Sequence, residues 1–386
     1  MKKLIVFLTI IIIFICILNA KEEYTRPTER DYFSFRRLYP VFKQIERFEI
    51  ITINRETRPD YEKRLLHNDK KVIEISMNKD ATKIAVTYII GKFPKVFYIS
   101  PVDVYMQEFS YWSGVRDETP LITSDGNTIF FVSDRYQNRE IYKIDVPKEE
   151  IDFVVDNMSH NYNPTINEDG SIIGYVTTKD RGKPLVFVLD RTTGKEVVVS
   201  MPDCSAKNPK LSSDGDYIAY SADDAYNNSE VYFASIKEKY IINISDNFKI
   251  DDSPDLSRAG KRIVFHTDRT GDYDIFMLDR DAKEIMNLTQ DKKSHDRYPM
   301  ISDDGNIVVY EAGEKWLTSS IKIINIRQKK IYRLYELDEY KTKPLISKDG
   351  KNLIYASNGI YFIVDLNKLM GTTRAPAAPA ATGGEG

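Results

Sequence analysis

The residue types that carry out enzyme chemistry are sparse in this 386-residue chain and form no recognisable motif. A Gly-x-Ser-x-Gly nucleophile elbow and a glycine-rich phosphate loop are both missing from the sequence. Metal-dependent lyase chemistry would need convergent histidine or carboxylate ligands. None of the four histidines stands within ligand spacing of another: His67, His160, His266 and His295. The sequence therefore predicts no metal, no cofactor and no catalytic residue, and we expect a protein that is not an enzyme.

Carboxylates recur at one point ahead of a repeated proline. Asp117, Asp251 and Asp296 each stand three residues before such a proline, and Asp252 follows Asp251. If the fold brings these points together, the four carboxylates form an acidic rim that receives a basic peptide or a cation. An ordinary solvated loop face is the alternative. Two of the histidines stand four residues before a proline, so we expect them on the same face.

The proline opens a unit, Pro-x-hydrophobic-x-x-Asp-Gly, that returns every 44 to 45 residues. Its prolines are Pro120, Pro164, Pro209, Pro254, Pro299 and Pro344. A glycine follows six residues after each: Gly126, Gly170, Gly215, Gly260, Gly305 and Gly350. Aspartate precedes five of these glycines, with Ala259 in the remaining place: Asp125, Asp169, Asp214, Asp304 and Asp349. A degenerate copy lies one period upstream, with Ile75 in the proline position. Seven copies with this period indicate a radial array or a solenoid.

Each unit has the pattern of four short strands. In the second unit the runs are 120–123, 129–133, 141–144 and 153–155. Asp-Gly accepts positive φ angles, which predicts a type I′ hairpin between the first two strands. The motif aspartate and the serine or threonine before it are expected to bond the turn backbone, which is a structural role. Four antiparallel strands per unit around an axis make an all-β fold, a seven-bladed β-propeller.

The seventh unit supplies only three strands before the chain leaves the pattern at Asp365. An open edge is an aggregation hazard that proteins avoid, so we expect an N-terminal strand to close the last blade. Residues 48–54 form the strand-like run upstream of the first unit and are predicted to do so. The alternative is a six-bladed ring with the degenerate first copy packed outside.

The chain begins with two lysines, an apolar run over residues 4–18 and a small residue at Ala20. Residues 1–20 are therefore predicted to be a cleaved secretion signal, with an uncleaved membrane anchor as the alternative. Residues 21–47 form an N-terminal arm, interpreted either as a strap on the propeller or as a partner-binding arm with Tyr32, Phe35 and Tyr39. The propeller is predicted over residues 48–366, followed by a disordered tail over 367–386.

Charge and cysteine content limit the function further. Removal of two lysines with the signal lowers the 55 basic residues to 53, against 58 acidic residues. This near-neutral balance lacks the basic footprint of a nucleic-acid-binding protein. Cys204 is the single cysteine after the signal, so no internal disulfide is expected.

The units resemble the repeat of TolB-type propellers. Residues 209–215 and 299–305 match its Pro-x-hydrophobic-Ser-x-Asp-Gly strand and turn, and Asp134-Arg135 and Asp268-Arg269 match its Asp-Arg loop. The resemblance covers residues 72–366. TolB is a periplasmic protein of the Tol–Pal envelope system, with an α/β domain ahead of a six-bladed propeller. The short N-terminal region here implies a TolB-like relative without that domain. Similar repeats also occur beside peptidase domains and in polysaccharide lyases.

Functional differences between the blades are expected where their residues differ. The position after the motif proline varies most: Leu121, Thr165, Lys210, Asp255, Met300 and Leu345. The resemblance implies a periplasmic, non-enzymatic scaffold that binds an envelope protein or peptide, and that meets a membrane only through its partner or an uncleaved anchor. The alternative is a lyase or hydrolase that acts on a saccharide or peptide in the channel.

Overall fold

The computed structural model describes most of the chain between residues 41 and 371. The described ranges are 41–43, 48–53, 61–66 and 71–371, except positions 104, 111, 156, 158, 180–181, 225, 291–293, 314–318, 335–343 and 358–359. None of the helices in these ranges has the length and apolar character needed to span a membrane.

Three strands precede the repeats: β1 (Val41–Lys43), β2 (Glu49–Ile53) and β3 (Glu62–Leu66). Blade 1 contains β4 (Lys71–Met77), β5 (Ile84–Ile90), β6 (Phe93–Ser100) and β7 (Tyr105–Glu108). Blade 2 contains β8 (Asp117–Ile122), β9 (Thr128–Tyr136), β10 (Asn138–Asp145) and β11 (Glu150–Val155). Blade 3 contains β12 (Asn161–Ile166), β13 (Ile172–Thr177), β14 (Leu185–Asp190) and β15 (Lys195–Val198).

The second half of the ring repeats the pattern. Blade 4 contains β16 (Ser205–Leu211), β17 (Tyr217–Asp223), β18 (Ser229–Ser235) and β19 (Tyr240–Asn243). Blade 5 contains β20 (Asp251–Leu256), a 3-10 turn (Arg258–Gly260), β21 (Arg262–Thr267), β22 (Asp274–Asp279) and β23 (Glu284–Asn287). Blade 6 contains β24 (His295–Ile301), β25 (Ile307–Gly313), β26 (Ser319–Asn325) and β27 (Lys330–Leu334). Blade 7 contains β28 (Leu345–Ile346), β29 (Asn352–Ser357) and β30 (Ile360–Asp365), and the helix α1 (Leu366–Gly371) follows.

Strands within each blade pair antiparallel in chain order, and the motif strand is innermost. The seven-bladed prediction is confirmed. The six-bladed alternative is wrong, because the degenerate first copy forms a complete blade, β4 to β7. Among the described residues, buried side chains form seven hydrophobic clusters, one between each pair of neighbouring blades. Burial between stacked sheets therefore holds the ring together.

An N-terminal strand closes the last blade, as predicted, but it is not the strand at residues 48–54. Strand β3 pairs antiparallel with β30, with Glu62 opposite Val364. Strand β2 instead pairs parallel with β27 of blade 6, with Glu49 opposite Lys330. The apolar run correctly predicted a strand but could not identify its neighbour. The closing strand was missed because its Glu-Lys-Arg sequence is that of an outer strand facing water.

The N-terminal strands form a strap along three of the seven blades. Strand β1 pairs parallel with β23 of blade 5, so β1, β2 and β3 follow the outer edges of blades 5, 6 and 7 in turn. The strap interpretation therefore holds for residues 41–43 of the predicted arm. The remainder of the arm and the predicted signal lie outside the described residues.

The helix α1 corrects the predicted boundary of the tail at residue 367. Leu366 and Leu369 are fully buried, and Met370 packs against the same cluster between blades 6 and 7. Their spacing places the three side chains on one helical face. Residues 367–371 therefore belong to the packed domain, and residues 372–386 lie outside the described part of the chain.

Candidate functional site

The motif turns have the structural role predicted for them. The carboxylates of Asp125 and Asp214 accept the backbone N–H two residues onward at 2.9 and 3.2 Å. The same bond occurs at Asp169, Asp304 and Asp349. The following glycines have positive φ angles, of +71°, +71°, +80°, +71° and +73° at Gly126, Gly170, Gly215, Gly305 and Gly350. Because these carboxylate bonds are local to each turn, they stabilise the turn backbone.

The type I′ assignment of these turns is wrong. A type I′ turn needs positive φ at both central residues, but only the glycine has it in the Asp-Gly turns. The Gly126 N–H donates to the Thr123 carbonyl at 2.8 Å, which closes a turn that begins three residues before the glycine. The segment between the first two strands of each blade is long enough for a turn without positive φ at its central residues, followed by a glycine with left-handed backbone. In blade 5, where aspartate is missing, Ala259 and Gly260 do both have positive φ, at +58° and +56°.

The innermost strands surround a central cavity of about 190 Å³. The varying residue after each motif proline lines it, as do neighbouring motif residues: Ser76, Leu121, Thr165, Lys210, Asp255, Met300 and Leu345. The residues that line the cavity are partly apolar and partly charged. The Asp255 carboxylate is already engaged, because it accepts the Ile301 N–H at 2.8 Å.

Salt bridges between non-adjacent blades narrow the channel at the end that carries the Asp-Gly turns, here called the turn face. Glu168 of blade 3 bonds Lys79 of blade 1 at 2.9 Å and Arg258 of blade 5 at 2.5 Å. Ser213 of blade 4 bonds Asp303 of blade 6 at 2.5 Å. Contacts that skip a blade reach across the opening. A ligand is therefore better received at the opposite face.

The opposite face, here called the pre-motif face, carries the loops between blades and the loops between second and third strands. Its innermost strands bulge at the residue before the proline, with positive φ in five blades: Thr119, Asn163, Asn208, Ser253 and Tyr298. Left-handed backbone is uncommon in residues other than glycine. This left-handed residue was not predicted from the sequence, although its fixed position ahead of each proline was a signal. Recurrence in five blades marks it as part of the architecture.

The predicted acidic rim is wrong for three of its four carboxylates. Asp117, Asp251 and Asp296 are completely buried inside their blades. Asp117 bonds Arg135 at 3.1 Å, and Asp251 bonds Arg269 at 2.7 Å. These partners are the arginines of the Asp-Arg loops, so the paired charges tie each loop to its own blade. A buried carboxylate with an internal counter-ion cannot meet a partner protein.

Asp252 is the member of the predicted rim that reaches the surface, with 19% of its side chain exposed. Its carboxylate accepts bonds from Ser221 at 2.8 Å and Asn208 at 3.0 Å, and Lys207 lies 3.4 Å away. Burial alone would raise the pKa of this carboxyl, but those hydrogen bonds and the lysine hold it below its usual value. Asp252 therefore stays ionised, already bound to its neighbours.

The other predicted site residues are only partly described. Tyr32, Phe35, Tyr39 and His67 lie outside the described residues. His160 and His295 share the pre-motif face as predicted, but they stand at the first strands of blades 3 and 6, on different sides of the ring. In the described part of the chain, no group of three His, Cys, Asp or Glu side chains is placed to hold a metal ion.

Exposed aromatic residues distinguish the two faces. Four lie on the pre-motif face, with Tyr136 at the end of β9 and the others in loops: Trp112, Tyr136, Tyr226 and Phe248. Two more, Tyr105 and Phe153, lie on outer strands, and among the described residues the turn face has none. These positions could not be predicted from the sequence, because a single aromatic residue in a polar segment carries no periodic signal.

These features define the class of the protein as a seven-bladed β-propeller with locally bonded turns and one aromatic face. Residues 181–360 match the family model described as the TolB beta propeller domain. Over that range the repeats are similar to those of TolB-type β-propellers. No curated protein matches it.

Solved structures share the fold at low sequence identity. An oligogalacturonate lyase in complex with manganese has a TM-score of 0.63 and 15% identity, over 79% of this chain and 92% of that one. An oligogalacturonate lyase from Vibrio parahaemolyticus has a TM-score of 0.64 and 13% identity, over 83% and 98%. A prolyl endopeptidase has a TM-score of 0.59 and 14% identity, over 75% of this chain and 46% of that one. At these identities the likeness shows a common fold alone.

Proposed function

We propose that this chain is a non-enzymatic scaffold of the periplasm that binds an envelope protein or peptide on its pre-motif face. The observation that carries the proposal is the exposure of two aromatic side chains, 91% for Tyr226 and 101% for Phe248. Large apolar groups left in water lower stability slightly and are typical of surfaces that a partner covers.

The two aromatic residues stand on loops that are joined to each other. Tyr226 lies between β17 and β18, and Phe248 lies between β19 and β20. The side-chain amide of Asn228 donates to the backbone carbonyl of Asn247 at 2.8 Å, which connects the loops. A partner would therefore meet both rings on one supported surface, which reduces the entropy lost on binding.

A second aromatic pair extends the same face at blade 2. The rings of Trp112 and Tyr136 lie edge to face, with centroids 6.2 Å apart. The Arg135 guanidinium lies 5.5 Å from the centre of the Trp112 ring. Tryptophan and tyrosine are among the residues most enriched at the energetic centres of protein interfaces. Arg135 is itself buried against Asp117, so it supports the Trp112 ring from beneath. This pair supports a broad contact face in preference to a single small-molecule pocket.

Export of the protein is part of the proposal and rests on the residue pattern of positions 1–20. Fractionation of expressing cells should place the protein in the periplasm. Mass measurement of that fraction should give a chain that begins at Lys21. A chain that retains Met1 in the membrane fraction would contradict cleavage and support the anchor.

Site-specific photo-crosslinking in intact cells tests the binding face. A benzophenone amino acid at position 226 or 248 should give one discrete adduct each, with the same partner. The matched controls are positions 105 and 153, which are exposed aromatic residues on outer strands. Equal yields of that adduct at the control positions would contradict the assignment of the face.

A loss-of-contact variant completes the test. The double change Tyr226→Ser and Phe248→Ser should abolish crosslinking from a probe at position 112 to the same partner, while circular dichroism stays unchanged. Surface residues away from special features alter stability by about 0.5 kcal/mol or less, so folding should survive. Undiminished crosslinking from position 112 would show that these two rings do not bind the partner.

A further inference from the structure

Five side chains of blades 5 and 6 gather on the pre-motif face, and we call them the Arg297 cluster: His266, Tyr273, His295, Arg297 and Tyr298. The His266 ring lies 5.3 Å from Tyr273 and 5.7 Å from Tyr298, measured between ring centroids. The His295 ring lies 6.0 Å from Tyr273. The cluster combines two β strands and the loop between β21 and β22, so its backbone is well supported.

Arg297 is the distinctive member of the cluster. Its guanidinium carbon lies 4.2 Å from the centre of the Tyr273 ring. Within the part of the chain that the structure describes, this guanidinium has no ion pair or hydrogen bond, and its Nε atom is buried without an acceptor. Leaving a buried donor unpaired costs free energy, so an acceptor supplied by a ligand would be bound favourably.

Other arginines on this face are already paired. Arg135 and Arg269 bond buried aspartates, and Arg139 lies 2.8 Å from Glu118. Their positive charges are thereby neutralised. Arg297 differs because its neighbours in the cluster are aromatic rings, which contact the flat face of a guanidinium and leave its in-plane N–H donors available.

Acidic groups near the cluster are engaged elsewhere. Asp252 accepts bonds from Ser221 and Asn208. Asp272 lies 3.9 Å from the Nε2 atom of His295. The other nitrogen of that ring, Nδ1, is buried and has no partner among the described residues. Glu311 stands opposite Arg297 in the register of β24 and β25, although no ion pair joins the two side chains. The cluster therefore offers a cation and a second polar nitrogen beside one acidic residue.

We propose that the Arg297 cluster is a binding site for a carboxylate-bearing small ligand. A planar carboxylate accepts two parallel N–H bonds from a guanidinium. This paired arrangement is stronger and more specific in geometry than a single hydrogen bond. The flanking tyrosine and histidine rings would cover the apolar part of the ligand. This site is independent of the aromatic partner surface at Tyr226 and Phe248.

Calorimetric titration with glutarate at constant ionic strength tests the proposal, with glutaramide as the neutral analogue. The wild-type protein should bind glutarate and not glutaramide. Arg297→Gln should abolish binding. Arg327→Gln should bind normally, because Arg327 is 72% exposed and lies between β26 and β27 on the turn face.

A conservative variant separates recognition from folding. Arg297→Lys keeps the charge but loses the planar fork, so it should bind glutarate at least tenfold more weakly than wild type while melting at the same temperature. Binding of equal strength in wild type and Arg297→Gln would overturn the proposal, as would binding of glutaramide or no binding at all. Inorganic phosphate that binds wild type as tightly as glutarate would overturn the assignment to carboxylates.

Discussion

Blades 5 and 6 bury the same aspartate at the same position but neutralise it differently. In blade 5 the Arg269 guanidinium lies 2.7 Å from Asp251 and 4.8 Å from the centre of the Phe276 ring. In blade 6 Lys322 replaces that phenylalanine in the strand register, and its ammonium lies 3.8 Å from Asp296. One side chain thus takes the places of both an aromatic residue and an arginine.

The replacement changes the chemistry of the carboxyl group. Burial raises the pKa of Asp296 to about 6, because Lys322 and Ser294 compensate only part of the lost hydration. One Asp296 oxygen is buried without a hydrogen bond. A planar guanidinium satisfies a buried carboxylate better than an ammonium does, since it donates several bonds in fixed geometry. Burial raises the pKa of Asp251 too, but the Arg269 guanidinium opposes that rise. The same acidic position is therefore paired with an arginine in one blade and compensated less completely by a lysine in the next.

The largest expected effect comes from removing the arginine of blade 5. Arg269→Met should lower the free energy of unfolding by about 3–5 kcal/mol, because it leaves Asp251 buried without its counter-ion. Urea denaturation measures the loss. The matched control Arg327→Met removes an exposed arginine and should cost about 1 kcal/mol or less. Equal losses in the two variants would mean that the buried pair has no special role.

Removal of the lysine in blade 6 should cost less and should depend on pH. Lys322→Met should lower the unfolding free energy by about 1–3 kcal/mol at pH 8, since Asp296 then loses its nearby charge. At pH 5 the loss should be smaller, because Asp296 is already mostly protonated. Denaturation curves at both pH values measure the difference, and a loss that is the same at both would contradict a proton-binding Asp296.

Lowering the pH of the wild-type protein should also show the effect of Asp296 on the unfolding free energy. The pKa of Asp296 is raised to about 6 in the folded protein, so the folded state binds a proton before the unfolded state does. Stability should therefore rise as pH falls from 8 towards 5, with about 2–3 kcal/mol from this group by pH 4. Glu230, with a pKa raised to about 7 mainly by burial, acts in the same direction.

The variant Asp296→Asn isolates the contribution of blade 6 to that pH dependence. Its melting temperature should change less between pH 8 and pH 5 than that of wild type. The isosteric change Asp251→Asn in blade 5 serves as the comparison. If Asp296→Asn keeps the full wild-type dependence, other carboxyl groups carry it.

The smallest expected effect concerns the turns at the other end of the same two blades. Ala259 of blade 5 has φ of +58°, whereas the equivalent Asp304 of blade 6 is not left-handed. Asparagine adopts positive φ more readily than alanine does, so Ala259→Asn should stabilise the protein by about 0.5–1 kcal/mol. A precise melting curve detects this gain. A lower melting temperature would show that the asparagine side chain is poorly accommodated beside the turn.

The ring itself could be predicted from the sequence because its causes are local. Each proline ends a bulge and each glycine adopts the left-handed turn, so their spacing counts the blades. Pairing between distant strands has no such local cause. The apolar run at residues 48–54 marks a strand equally well beside β27 or β30, and the charged residues 62–66 carry no apolar signal.

The candidate site was harder to predict because polarity does not reveal burial. Asp117 and Asp251 were expected at a rim, but each is neutralised by an arginine 18 residues onward. That repeated interval was visible in the sequence and was the signal for an internal pair. Tyr226, Phe248 and Arg297 carry no repeated signal, since each departs from the pattern that the other blades share.

The strap has a mechanical consequence. Strands β1 and β2 lie upstream of the closing strand and are held by short parallel ladders on blades 5 and 6. Tension applied to the chain ahead of residue 41 therefore loads β1 first and β2 second. It reaches the seam between β3 and β30 only after both ladders have detached. The ladders of β1 and β2 therefore bear a pull on the N-terminal end first, and the ring remains closed until both have detached.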